Sequence, residues 1–369
     1  MSLYHRILQL SALVLLLSIF MGCSHFQARP DPFEKEILES SLKVLGPEYS
    51  QPRLLTGKLV VNIDDIQILT GENLSNHNQA SGIPAEQAPS LRIWSSDIRE
   101  FSTQKLLSEG RISPEPSGVY SESEYENQII YWDLSSDLVP GTAYSLSREF
   151  SMLTFDYRAR VDRSAEHFMW SSIPDSIINK YTRSELFLEQ DAALIDTVFA
   201  LLENIADPVS QAEAIYHWVQ SAMIYIYPPE KRGVRNALAT RAGDCGQYSA
   251  LFITAARIAG IPARQQSGFN FYPGNTGAHV WSEIFLPIHG WVPVDATRKD
   301  GFLHLDNGRL ITSIGLNIII PEAPAWATFE NSEVENGKTD FMQMFTLVSS
   351  GIVANYSSTR QIIRSVGLK

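Results

Sequence analysis

The chain has only two cysteines in 369 residues, Cys23 and Cys245. Two sulfurs so far apart build neither a disulfide framework nor a cysteine-rich zinc site, so each needs its own explanation. Basic residues are also short. Lys and Arg number 29 against 41 Asp and Glu, a net charge of −12. Nucleic acid is thereby excluded as a general partner, because neutralising phosphates takes a basic surface. There is no phosphate-cradling glycine loop, and no grouping of His, Cys and carboxylates at metal-ligand spacing, so no metal or cofactor is expected. The N-terminal apolar run Ile7–Phe20 spans 14 residues and includes Gln9, Ser11 and Ser18. A membrane-spanning helix needs about 20 apolar residues, so this run is too short to cross. What is present is a globular balance, 44% hydrophobic, 10% aromatic and 19% charged. At roughly 100–200 residues per domain, the length divides into two domains.

The run Ile7–Phe20 follows Arg6 and has the length of a signal-peptide core. It ends Phe20-Met21-Gly22-Cys23-Ser24, where small Gly22 opens the backbone to a peptidase. This resembles the lipobox of bacterial lipoproteins, with Phe20 where Leu is usual. The resemblance implies that residues 1–22 are a signal peptide and that Cys23 becomes the lipidated N-terminus. Ser24 in place of Asp points to the outer membrane, facing the periplasm. Each buried acyl CH₂ contributes about 0.8 kcal/mol, and stable anchoring takes more than one chain. An acidic body is repelled by anionic headgroups, so the lipid is expected to hold it.

Residues 23–53 read as a tether and entry segment interrupted by Pro30 and Pro32. Residues 54–165 are β-like, with Leu59–Ile63, Leu91–Trp94, Ile129–Trp132 and Phe150–Val161 rich in β-branched and aromatic side chains. Polar stretches Gly71–Pro89 and Ser108–Asn127 separate them, and the acidic run Glu122–Glu126 reads as a solvated loop. This is the pattern of an antiparallel β-sandwich-like accessory domain. Residues 185–320 change character. Leu194, Val198, Leu201, Leu202 and Ile205 have helical spacing, and Asp207-Pro208 caps a second helix carrying Ala212, Ile215, Val219 and Met223. His217 and Trp218 on that helix read as ordinary packing or surface residues. Residues 321–369 form an extension with no readable role. The fold class is α+β.

Cys245 lies in Arg241-Ala242-Gly243-Asp244-Cys245-Gly246-Gln247-Tyr248, ahead of an apolar helical stripe that Gly260-Ile261-Pro262 ends. It therefore sits at the first turn of a buried helix, where free N–H groups and the macrodipole favour a thiolate. Gly243 and Gly246 on either side leave room for a substrate. Alone, this segment is equally consistent with a small buried cysteine. Downstream, Ala278–Phe285 alternates as a strand, Pro287–Gly290 turns, and Trp291–Asp295 returns. In register or on the diagonal, His279 and Asp295 share a face, so Asp295 holds one ring nitrogen while the other faces Cys245. A one-residue slip would separate them. Glu283 on the same face reads as packing or hydrogen bonding, and His289 and His304 as exposed turn residues.

Gly-Asp-Cys245-Gly, the helix end Gly260–Arg264, His279-Val-Trp281-Ser-Glu283 and Gly290–Thr297 together resemble the core of the transglutaminase-like superfamily. The match runs over about residues 190–300, in the family's order and spacing. It implies a papain-like cysteine fold with Cys245 as nucleophile, His279 as base and Asp295 as the orienting acid. It also implies an aromatic side chain near the oxyanion, here Tyr225, which ends the family's lead-in helix. Ala296 stands where the family has Pro. Gly246 stands where calcium-dependent animal transglutaminases have Trp, and their flanking barrels have no counterpart, so neither cross-linking nor calcium follows. The implied activity is acyl transfer through a thioester on a peptide or protein of the cell envelope. Hydrolysis is the default, because excluding water takes dedicated architecture. Transamidation and a non-catalytic peptide-binding or assembly module are the alternatives.

Overall fold

The computed structural model describes residues 29–108, 110–329, 334 and 337–368. The apolar N-terminal run and Cys23 lie outside them. Among the described residues no helix is long and apolar enough to cross a membrane.

The β-rich half is built from two antiparallel sheets facing one another across a common apolar cluster. The larger sheet centres on Tyr49–Ile68, flanked by Tyr144–Arg158 on one side and Ile352–Gly367 on the other. Short strands Gln104–Ser108, Ile112–Ser113 and His304–Leu305 pair with the far edge of Tyr144–Arg158. The smaller sheet has the order Phe345–Ser350, Ser90–Ser96, Gln128–Asp133, Gly118–Ser121. Between them Leu55, Leu59, Val61 and Phe150 meet Leu91, Ile93, Ile130 and Trp132. Each such side chain contributes about 1.5–3 kcal/mol on burial.

The last residues do not form a separate extension. Phe345–Ser350 joins the smaller sheet; the chain turns at Gly351 and crosses to the larger one, where it pairs from Ile68↔Ile352 through Arg53↔Gly367. A pairing between strands almost 300 residues apart leaves no local pattern, so the extension reading had nothing to correct it. The entry segment is held to the same strand. Asp31 and Glu34 form a capping box at the start of the Pro32–Leu45 helix, and Glu34 receives Arg364 Nε and Nη2 at 2.6 and 2.7 Å. The polar stretch after Gly71 contains a helix, Gly71–Ala80, whose only buried side chain is Asn78.

The remaining chain forms a helical layer on a third antiparallel sheet, ordered Gly290–Val294, Ala278–Leu286, Ala263–Asn270, Arg309–Ile314. Helices Ala192–Leu202 and Pro208–Ala222 follow the expected periodicity. Leu194, Val198, Val209, Ala212, Ile215 and Val219 are buried against Leu251, Phe252 and Ala255 and against Ile284, Val292 and Val294 of the sheet. Asp207 caps the second helix by accepting Ser210 N–H at 2.6 Å. Phe269 and Leu310 of the third sheet, with Phe271 just beyond its strand, enter the sandwich core, which joins the two halves through apolar contact.

Three expectations about polar residues are corrected. Glu122 is buried, because its carboxylate accepts the N–H groups of Glu124 and Tyr125 at 2.5 and 3.0 Å and organises the turn it belongs to. His289 Nδ1 lies 2.5 Å from Oε1 of the fully buried Glu166, so it is pinned rather than solvated. His304 is buried between the Asp300 carbonyl at 2.8 Å and the Asp156 carboxylate at 3.1 Å. In each case a partner distant in sequence, or a backbone turn, satisfies the polar group.

Candidate active site

Cys245 opens the helix Cys245–Ile258, whose residues Gly246–Arg257 are all buried. Asp244 is its N-cap, and Oδ1 accepts the N–H groups of Gly246 and Gln247 at 2.9 and 3.2 Å. The other carboxylate oxygen takes Arg232 Nη1 at 2.7 Å. The flanking glycines make room for this network. A Cβ on Gly243 would lie 2.3 Å from Gln247 Cγ, and one on Gly246 would crowd Asp244 Oδ1 at 3.2 Å and Arg232 Nη1 at 3.3 Å.

The carboxylate also changes the expected electrostatics. Cys245 keeps a partly exposed surface, yet burial pushes its thiol up to about 11, with the Asp244 charge adding to the rise. The nearby Val280 N–H and the Arg232 charge oppose this without reversing it. The helix N-terminus does not favour a thiolate here, because its free N–H groups are spent on Asp244. The signal was legible: Asp directly before a helix is the same cap already read at Asp207.

The hairpin delivers the other two residues. Ala278–Leu286 pairs with Gly290–Val294 from Leu286↔Gly290 to Ser282↔Val294. Continuing that register sets Asp295 opposite Trp281 and diagonal to His279, and His279 Nε2 lies 2.8 Å from Asp295 Oδ2. Both side chains are buried. The ring keeps Nδ1 as its second nitrogen. Trp281 stacks on it at 5.8 Å and 23° and is itself fixed by donating to Gln266 Oε1 at 2.5 Å. The backbone N–H of Val280, the residue that follows His279 in the chain, is close enough to Cys245 to lower its thiol.

Asp295 is held by more than the imidazole. Oδ1 accepts the Thr297 hydroxyl at 2.6 Å and its N–H at 3.1 Å, and Oδ2 also accepts Arg309 Nη2 at 3.1 Å. Burial alone would raise the carboxyl, but the His279 bond, the Arg309 charge and Thr297 outweigh it and hold it down to about 2. Arg309 escapes a sequence reading. It opens the strand Arg309–Ile314, which reaches the site only by pairing with Ala263–Asn270, far upstream.

Tyr225 is 53% exposed, and its ring is 6.1 Å from Tyr248, one turn into the cysteine helix. Burial of its hydroxyl end, then the Cys245 and Asp244 charges, push it up to about 12, with the nearby Cys245 backbone N–H opposing the rise. The Tyr225 hydroxyl thus lies beside the backbone N–H of Cys245. Glu283 pairs with Arg264 Nε at 2.8 Å, and that guanidinium covers Trp291 at 3.9 Å, a packing role. Among the described residues no three or more His, Cys, Asp and Glu side chains are grouped to hold a metal ion.

The sequence profile of the transglutaminase-like superfamily matches residues 196–296, the stretch that carries Cys245, His279 and Asp295. The chain carries a transglutaminase-like domain. Among curated relatives it is 24% identical over 160 residues to the uncharacterised protein YebA of Bacillus subtilis, covering 38% of this chain and 21% of that protein. It is 30% identical over 95 residues to a protein-glutamine gamma-glutamyltransferase of Pseudomonas aeruginosa, covering 23% of this chain and 14% of that protein. The chain thus spans well under half the length of the curated relatives it matches. The structure of a candidate cysteine protease from Cytophaga hutchinsonii superposes with TM-score 0.54 at 18% identity, over 84% of this chain and 92% of that one. That likeness includes the β-rich half and shows a shared fold.

Proposed function

We propose that this protein is a cysteine acyltransferase of the transglutaminase-like type that hydrolyses a peptide or amide bond, with Cys245, His279 and Asp295 as its working groups. The observation that carries the reading is the buried 2.8 Å contact between His279 Nε2 and Asp295 Oδ2, with His279 next in the chain to Val280, whose backbone N–H lies near enough to Cys245 to lower its thiol. A carboxylate that fixes one ring nitrogen leaves the other to exchange a proton with a thiol. In the reaction, the sulfur attacks the carbonyl carbon as its proton passes to the imidazole. The C–N bond breaks, the imidazolium protonates the departing amine, and a thioester remains. Water, deprotonated by His279, then adds to the thioester and releases the acid and the thiol. The Cys245 N–H, with the Tyr225 hydroxyl turned to donate, would face the oxyanion. Donors of this kind are typically worth about 3–4 kcal/mol.

An amine in place of water gives transamidation, which the likeness to the Pseudomonas aeruginosa gamma-glutamyltransferase favours over its matching stretch. The reading extends to location. The Gly22-Cys23 motif supports lipidation at Cys23 and a place in the bacterial envelope, at the outer membrane facing the periplasm. The test incubates the protein and its Cys245→Ser variant with a mixed peptide library and a tagged primary amine. Cys245-dependent cleavage is the expected outcome. Tag incorporation without cleavage would replace hydrolysis by transamidation. Binding that is equal in both proteins, with no turnover, would make the core a peptide-binding module.

A further inference from the structure

We propose that the surface ridge Ile224-Tyr225-Ile226-Tyr227 seats an extended polypeptide whose residues beside the scissile bond are large and apolar. The proposal rests on the acyl-transfer reading above and adds the substrate class to it. The four side chains are 71%, 53%, 43% and 76% exposed. The other exposed large apolar side chains among the described residues occur singly or as the pair Phe168 and Met169. A strand that packs against a core hides every second residue. This one hides none, so folding does not account for its composition, and exposed apolar stretches of this kind mark interaction sites.

Position says which interaction. Ile224–Tyr225 pairs in parallel with Ala242–Gly243, the two residues that lead into Asp244 and Cys245. Ile224 N–H donates to Arg241 O and Ile226 N–H to Gly243 O, each at 2.9 Å. The intervening Tyr225 therefore turns its backbone N–H and C=O to the opposite edge, which carries no further strand among the described residues. A bound chain finds there both hydrogen-bonding groups and apolar contact, the combination used when an extended peptide adds to a sheet edge. The ridge is continuous with the nucleophile through Tyr225, which touches the first turn of the cysteine helix. A membrane is the less apt occupant, since docking lipid against this ridge would close the approach to Cys245, and the chain carries net charge −12.

The test labels Cys245 in the full-length protein with two peptidyl vinyl sulfones, one bearing Leu and Phe beside the warhead and one bearing Asp and Lys. Burying one apolar side chain is worth about tenfold or more in rate. The apolar probe is therefore expected to label at least about tenfold faster, with the ratio falling to about twofold or less in the double variant Ile224→Ser, Tyr227→Ser. Iodoacetamide labelling should be unchanged in that variant, showing that the thiol is intact. Equal rates for the two probes, or a preference that survives the double variant, overturn the proposal. So does binding to phosphatidylcholine–phosphatidylglycerol vesicles that the double variant loses, which would assign the ridge to a membrane. Absence of Cys245-dependent turnover in the library assay would instead fell the catalytic reading alone, because probe preference reports the ridge independently.

Discussion

Replacing Asp295 by Asn tests the centre of the site without needing a substrate. The carboxyl is held at about 2 in the folded protein against an ordinary value of 3.8. A carboxylate held low stabilises the fold above its unfolded value, and that contribution is lost as pH falls through the folded one. A shift of this size is worth about 2 kcal/mol at pH 5, with roughly half of it gone by pH 3 and most of it gone by pH 2. Asparagine keeps the shape and cannot ionise, so the variant lacks this particular dependence. Urea unfolding of both proteins from pH 5 downward gives the difference in stability at each pH. The difference should shrink by about 1 kcal/mol between pH 5 and pH 3. All other titrating groups are common to both proteins and cancel to first order. A difference that stays constant over this range would mean that Asp295 is not bound to His279 and Arg309 as described.

The Cys245 thiol, pushed up to about 11, should react slowly with iodoacetamide near neutrality. Its alkylation rate should climb about tenfold per pH unit from pH 7 to pH 10, whereas a plateau below the ~8.5 of free cysteine would indicate a preformed ion pair. Arg309→Met removes the cation from a buried carboxylate that keeps only its His279 and Thr297 partners, and is expected to cost about 1.5–3 kcal/mol at pH 6. Part of that loss should return on acidification, as Asp295 protonates and no longer needs the cation. Urea titration at the two pH values measures it. Gly268→Ala would place a Cβ 1.9 Å from the Leu310 carbonyl oxygen, prying Ala263–Asn270 from the strand that carries Arg309. Thermal denaturation should show a loss of about 1–3 kcal/mol or more.

What was legible in the sequence is what is local. His279 and Asp295 are 16 residues apart across one tight turn, so alternation and the Pro287–Gly290 segment suffice to bring them to one face. Helices Ala192–Leu202 and Pro208–Ala222 are legible by their period, and the second also by its cap, because their partners lie within one cluster. Arg309 was not legible, because nothing near it states that its strand lies beside Ala263–Asn270. The placement of Ile352–Gly367 on Tyr49–Ile68 was hidden for the same reason at greater range. His289 and His304 failed differently. Their sequence neighbourhoods are turns, and turns are usually wet, but Glu166 and Asp156 arrive from other elements to satisfy them.

The largest departure from the sequence expectation is at the sulfur, where burial and the Asp244 charge raise the thiol. A helix N-terminus attracts negative charge, but the charge it holds here belongs to Asp244, whose Oδ1 consumes the N–H groups that would otherwise face a thiolate. Asp244 is in turn bound to Arg232, so the attraction is satisfied within the protein before any substrate arrives. The cap then serves to fix the position of Cys245 rather than its ionisation. Under the acyl-transfer mechanism proposed above, a neutral thiol would have to lose its proton during attack, which would place the demand on the ring nitrogen that Asp295 leaves free. The His279 bond and the Arg309 charge on Asp295 Oδ2 keep that carboxylate ionised, so in the proposed mechanism it would stabilise the imidazolium without taking the proton itself. Preorganisation is therefore concentrated on the histidine side of the site. Substitutions around Asp295 should consequently disturb turnover more than those that merely alter the resting reactivity of the thiol.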